Sequence, residues 1–105
     1  MSSTPYTVGD TEPVLTGSVS ADLTAATIRV NVARPDGTVF SRAGDVVLPT
    51  IDSSTWSFQL DDGDLTVPGL YRLEVEVHYA GGGIQTFAFD ATGRANTFSV
   101  RDQLA

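Results

Sequence analysis

Strict two-residue alternation constrains this chain most. Ile28, Val30 and Val32 alternate with Arg29, Asn31 and Ala33. Trp56, Phe58 and Leu60 alternate with Ser57 and Gln59. Tyr71, Leu73, Val75, Val77 and Tyr79 alternate with Arg72, Glu74, Glu76 and His78. Side chains on a strand point to opposite faces in turn, so each run predicts a strand with one buried and one wet face. No long stretch keeps the three-and-four spacing of a buried helix face. The chain therefore reads as all-β.

Turn chemistry cuts the runs apart. Pro35-Asp36-Gly37 and Gly81-Gly82-Gly83 each fall between strand-like runs and predict hairpins. Asp61-Asp62-Gly63-Asp64 and Val67-Pro68-Gly69 bracket a crossing loop. The predicted strands are 5–8, 13–19, 27–34, 38–42, 46–51, 55–60, 70–79, 84–90 and 96–101. Short strands at this spacing predict a sandwich or barrel, and an immunoglobulin-like antiparallel β-sandwich is the expected form. The 105 residues make one domain of 1–105, with a core over about 5–101 and a short tail at each end.

The second hairpin sets a register. A three-residue loop over Gly81–Gly83 pairs Ala80 with Ile84 and turns Phe87 and Phe89 inward beside Val75 and Val77. A loop of two or four residues turns both phenylalanines to the polar face. Burying two phenylalanines contributes roughly 3–6 kcal/mol, so the three-residue loop is expected. The expected core is Leu23, Ile28, Val30, Val32, Trp56, Phe58, Leu60, Tyr71, Leu73, Val75 and Val77.

Charge and composition exclude several function classes. The formal net charge is −7, and all six cations are arginine. Such a surface repels phosphate backbones, so no nucleic-acid partner is expected. No apolar run reaches membrane-spanning length, and the first residues carry no basic and apolar leader pattern, so no membrane partner is expected either. The chain has no cysteine, hence no disulfide framework and no thiolate metal site.

Candidate chemistry is sparse. A catalytic histidine needs an orienting acid and a nucleophile. His78, the single histidine, shares its face with Glu76, and no motif supplies the nucleophile, so a solvated strand histidine is expected. Asp61, Asp62 and Asp64 could give calcium some oxygen ligands, but their spacing is not that of an EF-hand, and Asp and Gly favour turns for local reasons. Gly81-Gly82-Gly83 lacks the lysine and helix of a phosphate loop and reads as a hairpin tip open to contact. Trp56 could be a ligand platform, although its alternation places it in the core. Tyr71, two residues after Gly69, has the placing of a tyrosine-corner residue. No enzyme activity and no cofactor are expected. Tyr6 and Val8 at one end, Leu104 at the other and Gly81, Gly82 and Gly83 at the hairpin are the candidate interface residues. The tail Met1–Val8 is expected to be dispensable for folding.

Several motifs together resemble a known family. They are Gly9-Asp10-Thr11-Glu12-Pro13, Ala21-Asp22-Leu23-Thr24-Ala25-Ala26-Thr27-Ile28 and Arg34-Pro35-Asp36-Gly37-Thr38-Val39. Pro68-Gly69-Leu70-Tyr71-Arg72-Leu73-Glu74-Val75-Glu76-Val77, Thr86-Phe87 and Phe98-Ser99-Val100 complete the set. Over about Val8 to Val100 the chain resembles the N-terminal domain of phage baseplate upper proteins and the small Ig-like minor tail proteins of actinobacterial phages. Asp22-Leu23-Thr24 is the most specific part, and Ala25 stands where that family usually has glycine. Its physical role is expected to be a tight turn held by Asp22 and Thr24, with Leu23 plugging the core beneath. The resemblance implies a structural virion protein, made in the bacterial host cytoplasm and docked in many copies on other phage structural proteins of a tail, baseplate or capsid. Capsid decoration is the alternative within that class. A carbohydrate- or ligand-binding module is the alternative from another class.

Overall fold

The computed structural model describes residues 6–50 and 52–102. Eight strands follow in order: β1 (Tyr6–Thr7), β2 (Val14–Val19), β3 (Thr27–Ala33), β4 (Val39–Pro49), β5 (Ser54–Gln59), β6 (Gly69–His78), β7 (Ile84–Phe87) and β8 (Thr97–Arg101). No helix occurs among the described residues. The strands form one hydrogen-bonded path, β1-β8-β6-β3-β4-β5-β2, with β7 also on β6. Every pairing is antiparallel except that of β1 with β8, so the sheet is mixed.

The path curls into a half-barrel because β4 belongs to both of its layers. Val39 to Gly44 pair with β3, and Asp45 to Pro49 pair with β5. A register shift between Val46 and Leu48 marks the bend, as an extra residue in a ladder increases local twist. Two strands were expected here, at 38–42 and 46–51. They are one strand because Ala43 and Gly44 keep their partners on β3 and Asp45 takes up the ladder on β5, so the turn-prone Gly44-Asp45 pair does not interrupt it. Residue 51 lies outside the described residues.

Alternation fills the space between the layers. Every residue of the expected core is buried, and Leu15, Val19, Leu65 and Val100 join it. Each such large apolar side chain contributes roughly 1.5–3 kcal/mol by leaving water. Trp56 lies across Gly17, where an added Cβ would come within 2.4 Å of the indole ring. Only glycine lets β2 approach so closely.

The second hairpin has a three-residue loop, one residue earlier than expected. The Tyr79 amide donates to the Gly83 carbonyl at 2.9 Å, and His78 pairs with Ile84. Parity is kept, so Phe87 lies opposite Val75 and packs on the core. Phe89 does not follow it and is 56% exposed. After Phe87 the chain leaves the ladder as a finger, closed by a Phe89–Ala95 bridge. Asp90 shapes its tip: the Arg94 and Thr92 amides both donate to its Oδ1, at 3.0 and 2.9 Å. The expected strand 84–90 therefore stops at Phe87.

Tyr6 and Val8 fall within the expected strand 5–8, of which β1 takes Tyr6–Thr7. Both pack against the core, and the Tyr6 ring meets Phe98 edge-on at 5.2 Å. The Val8 amide donates to the Arg101 carbonyl at 2.9 Å. These residues are committed to the fold, so removing Met1–Val8 would strip β1 rather than spare the fold. Leu104 lies outside the described residues.

Candidate interaction surface

Asp-x-Thr turns punctuate the fold at three points. Asp22, Asp36 and Asp90 each accept through Oδ1 from the amide of the residue two further on, at 2.9 to 3.0 Å. Each also accepts from that threonine's hydroxyl at 2.6 Å. The threonine hydroxyl is the main cause that holds all three carboxyls below the usual aspartate range, since donors favour the charged form. Leu23, between Asp22 and Thr24, is buried, and its amide donates to Ser54 Oγ at 3.1 Å. Ala25 closes that turn with φ +60°, a conformation that glycine adopts more cheaply.

The acidic loop is tied down by two arginines. Arg34 Nε donates to the Asp64 carbonyl and Nη2 to the Gly63 carbonyl, both at 3.0 Å. Arg42 pairs with Asp64 and, at 3.4 Å, with Asp61. The Asp61 amide donates to the other oxygen of Asp64 at 2.8 Å. Arg34 also lies over the Phe40 ring at 4.6 Å. Asp64 is buried with both oxygens engaged, whereas Asp62 is exposed. Among the described residues no group of three or more acids and histidines is placed to hold a metal ion. Arg34 and Arg42 were not singled out from the sequence. Their only signal was two arginines placed either side of Phe40 in a chain without lysine.

His78 sits on the outer face, its Nε2 at 3.0 Å from Glu76 Oε1. Trp56 is buried, its ring packed over Gly17. The Tyr71 hydroxyl donates to the Val67 carbonyl at 2.7 Å and accepts from the Val67 amide at 3.3 Å, which is a tyrosine corner across the loop before β6. Gly81, Gly82 and Gly83 are exposed at the far hairpin tip.

What remains open to partners is apolar surface and sheet edge. A groove of about 370 Å3 runs on the outer face beneath the finger, with Ala33, Val39, Ala88, Phe89 and Ala95 among its walls. Val39 and Phe89 are both more than half exposed. Arg72 and Glu74 flank it. The finger tip reaches the opposite layer: the Ala91 amide donates to Ser18 Oγ at 3.1 Å, and Ser20 Oγ donates to the Ala91 carbonyl at 3.4 Å. Beside this strap, a cleft of about 130 Å3 lies between the layers, lined by Leu15, Thr16 and Trp56 on one side and by Asn96, Thr97 and Phe98 on the other. Trp56 Nε1 and Asn96 Nδ2 are buried without a hydrogen-bond partner among the described residues, as is Arg42 Nε. No protein-family profile, curated protein or solved structure matches this chain.

Proposed function

We propose that this chain is a structural contact protein of a phage particle, a tail or baseplate docking module that works in many copies. One observation carries the reading: large apolar side chains are exposed, and two of them, Val39 and Phe89, wall one groove. Exposed apolar surface gathered in a groove and rimmed by polar groups suits protein contact. The titratable groups singled out for chemistry are engaged in turns and strand supports instead, apart from exposed Asp62. The motif resemblance over Val8 to Val100 supplies the phage setting, and function is otherwise not fixed by a fold.

An immunoglobulin-like description of the half-barrel is part of this proposal. Three features support it: the β8-β6-β3 layer faces the β2-β5-β4 layer, β1 runs parallel on β8, and Tyr71 makes its corner at the start of β6.

The test is Phe89→Ser, expressed in the phage that encodes the chain. Phe89 is exposed, so the melting temperature should move by no more than about 2 °C. Recovery of the variant in purified particles should fall severalfold. Full incorporation of Phe89→Ser would remove the groove as a contact surface.

A further inference from the structure

We infer that the outer edge of β2 is a docking edge, which takes an extended, uncharged segment of a neighbouring protein ending in a lysine or arginine. This rests on the contact-protein reading above and names the surface and the kind of partner.

The backbone fixes which groups are open. The Leu60 amide donates to the Pro13 carbonyl at 3.2 Å, and the register then alternates along β2 and β5. In an antiparallel ladder, every second residue turns its amide and carbonyl to the neighbour. Leu15, Gly17 and Val19 thus face β5, and the amides and carbonyls of Val14, Thr16 and Ser18 point the other way. No strand pairs that side among the described residues. Tyr6 of β1 lines the cleft beside Leu15 and Thr16, but β1 makes its ladder with β8 in the other layer and none with β2.

Composition marks this edge out. Proteins blunt open edges with charges and prolines within the strand. Val14–Val19 carries neither, in a chain with 13 acidic residues. Acid gathers instead at the Val14 end, where Asp10 and Glu12 precede Pro13. An uncharged strand that meets a cation at that end matches both features. The seam beside the edge has unmet donors. Trp56, only 1% exposed, has an indole N–H with no partner, and Asn96 Nδ2 lines the same cleft. A segment added along β2 brings carbonyl and side-chain acceptors to that cleft.

A second copy fits less well. Two copies bring −7 together with −7. The inward residues of β2, Leu15 and Val19, are already used in their own core, so a second β2 brings no free apolar side chain of that face to the seam.

The test compares Thr16→Pro with Thr16→Val in purified particles, alongside wild type. Proline removes the outward amide that β5 does not use, a change tolerated on an edge strand. Valine keeps it. Thr16→Pro should melt as wild type does yet incorporate at least tenfold less, and Thr16→Val should incorporate normally. Should Thr16→Pro not fold, hydrogen exchange decides on wild-type protein alone. The Thr16 amide should exchange fast in the isolated chain and at least a hundredfold slower in particles. Equal incorporation of both variants, or fast Thr16 exchange in particles, overturns the edge while leaving the contact-protein reading intact. Absence of wild type from particles overturns that reading too. A dimer of the isolated chain that Thr16→Pro dissolves assigns the edge to a second copy and overturns the heterologous partner.

Discussion

Single residues here do their work through backbone geometry as much as through packing. Ala25 holds φ +60° in the turn that seats Leu23. The left-handed conformation costs an L-residue roughly 1–2 kcal/mol, against about 0.5–1 kcal/mol of extra chain entropy for glycine. Ala25→Gly should therefore stabilise the domain by up to about 1 kcal/mol, seen as a rise of a few degrees in Tm; a fall would mean that the turn is not strained. Tyr71 shows the opposite case, a side chain that replaces backbone pairing. Its hydroxyl satisfies both the carbonyl and the amide of Val67. Tyr71→Phe keeps the buried ring but leaves those groups without it. A loss of roughly 1–3 kcal/mol in denaturant unfolding is expected, and an unchanged midpoint would show that water serves Val67 equally well.

At the scale of elements, the three Asp-x-Thr turns act as pH-sensitive fasteners. Their carboxyls are held below the usual range by threonine hydroxyl and backbone donors. A folded-state value below the unfolded one, near 3.9, gives stability that is present above about pH 4 and is lost as pH falls through the folded value. Wild-type Tm should drop between about pH 4 and 2, and the triple change Asp22→Asn, Asp36→Asn, Asp90→Asn should flatten that drop. Parallel acid profiles would assign the acid sensitivity to groups outside the three turns. Much of this element level was legible in the sequence. Alternation identified β3, β5 and β6 and their buried faces, because period two has one physical cause. The joining of two expected strands into β4 was not legible, since nothing local says that a strand will change layers. Nor was the finger, because Phe87 and Phe89 share one alternating face and only the Asp90–Arg94 turn, a tertiary dock to Ser18 and Ser20, decides that the second leaves it. The arginine clamp on the acidic loop was missed for a similar reason: Arg34 and Asp64 lie far apart in sequence and meet only when β3 and the loop before β6 are packed together.

For the whole molecule, an acidic half-barrel offers the outside an apolar groove and, among the described residues, a strand edge that no strand pairs. Net charge far from zero keeps free copies apart, so copies of such a protein should gather where a larger structure supplies the contacts. Quantitative mass spectrometry of purified particles of the phage proposed to encode the chain tests that claim most directly. The chain should be found at a fixed copy number, many per particle and unchanged through gradient purification. Its absence from particles that contain their other structural proteins would contradict the account.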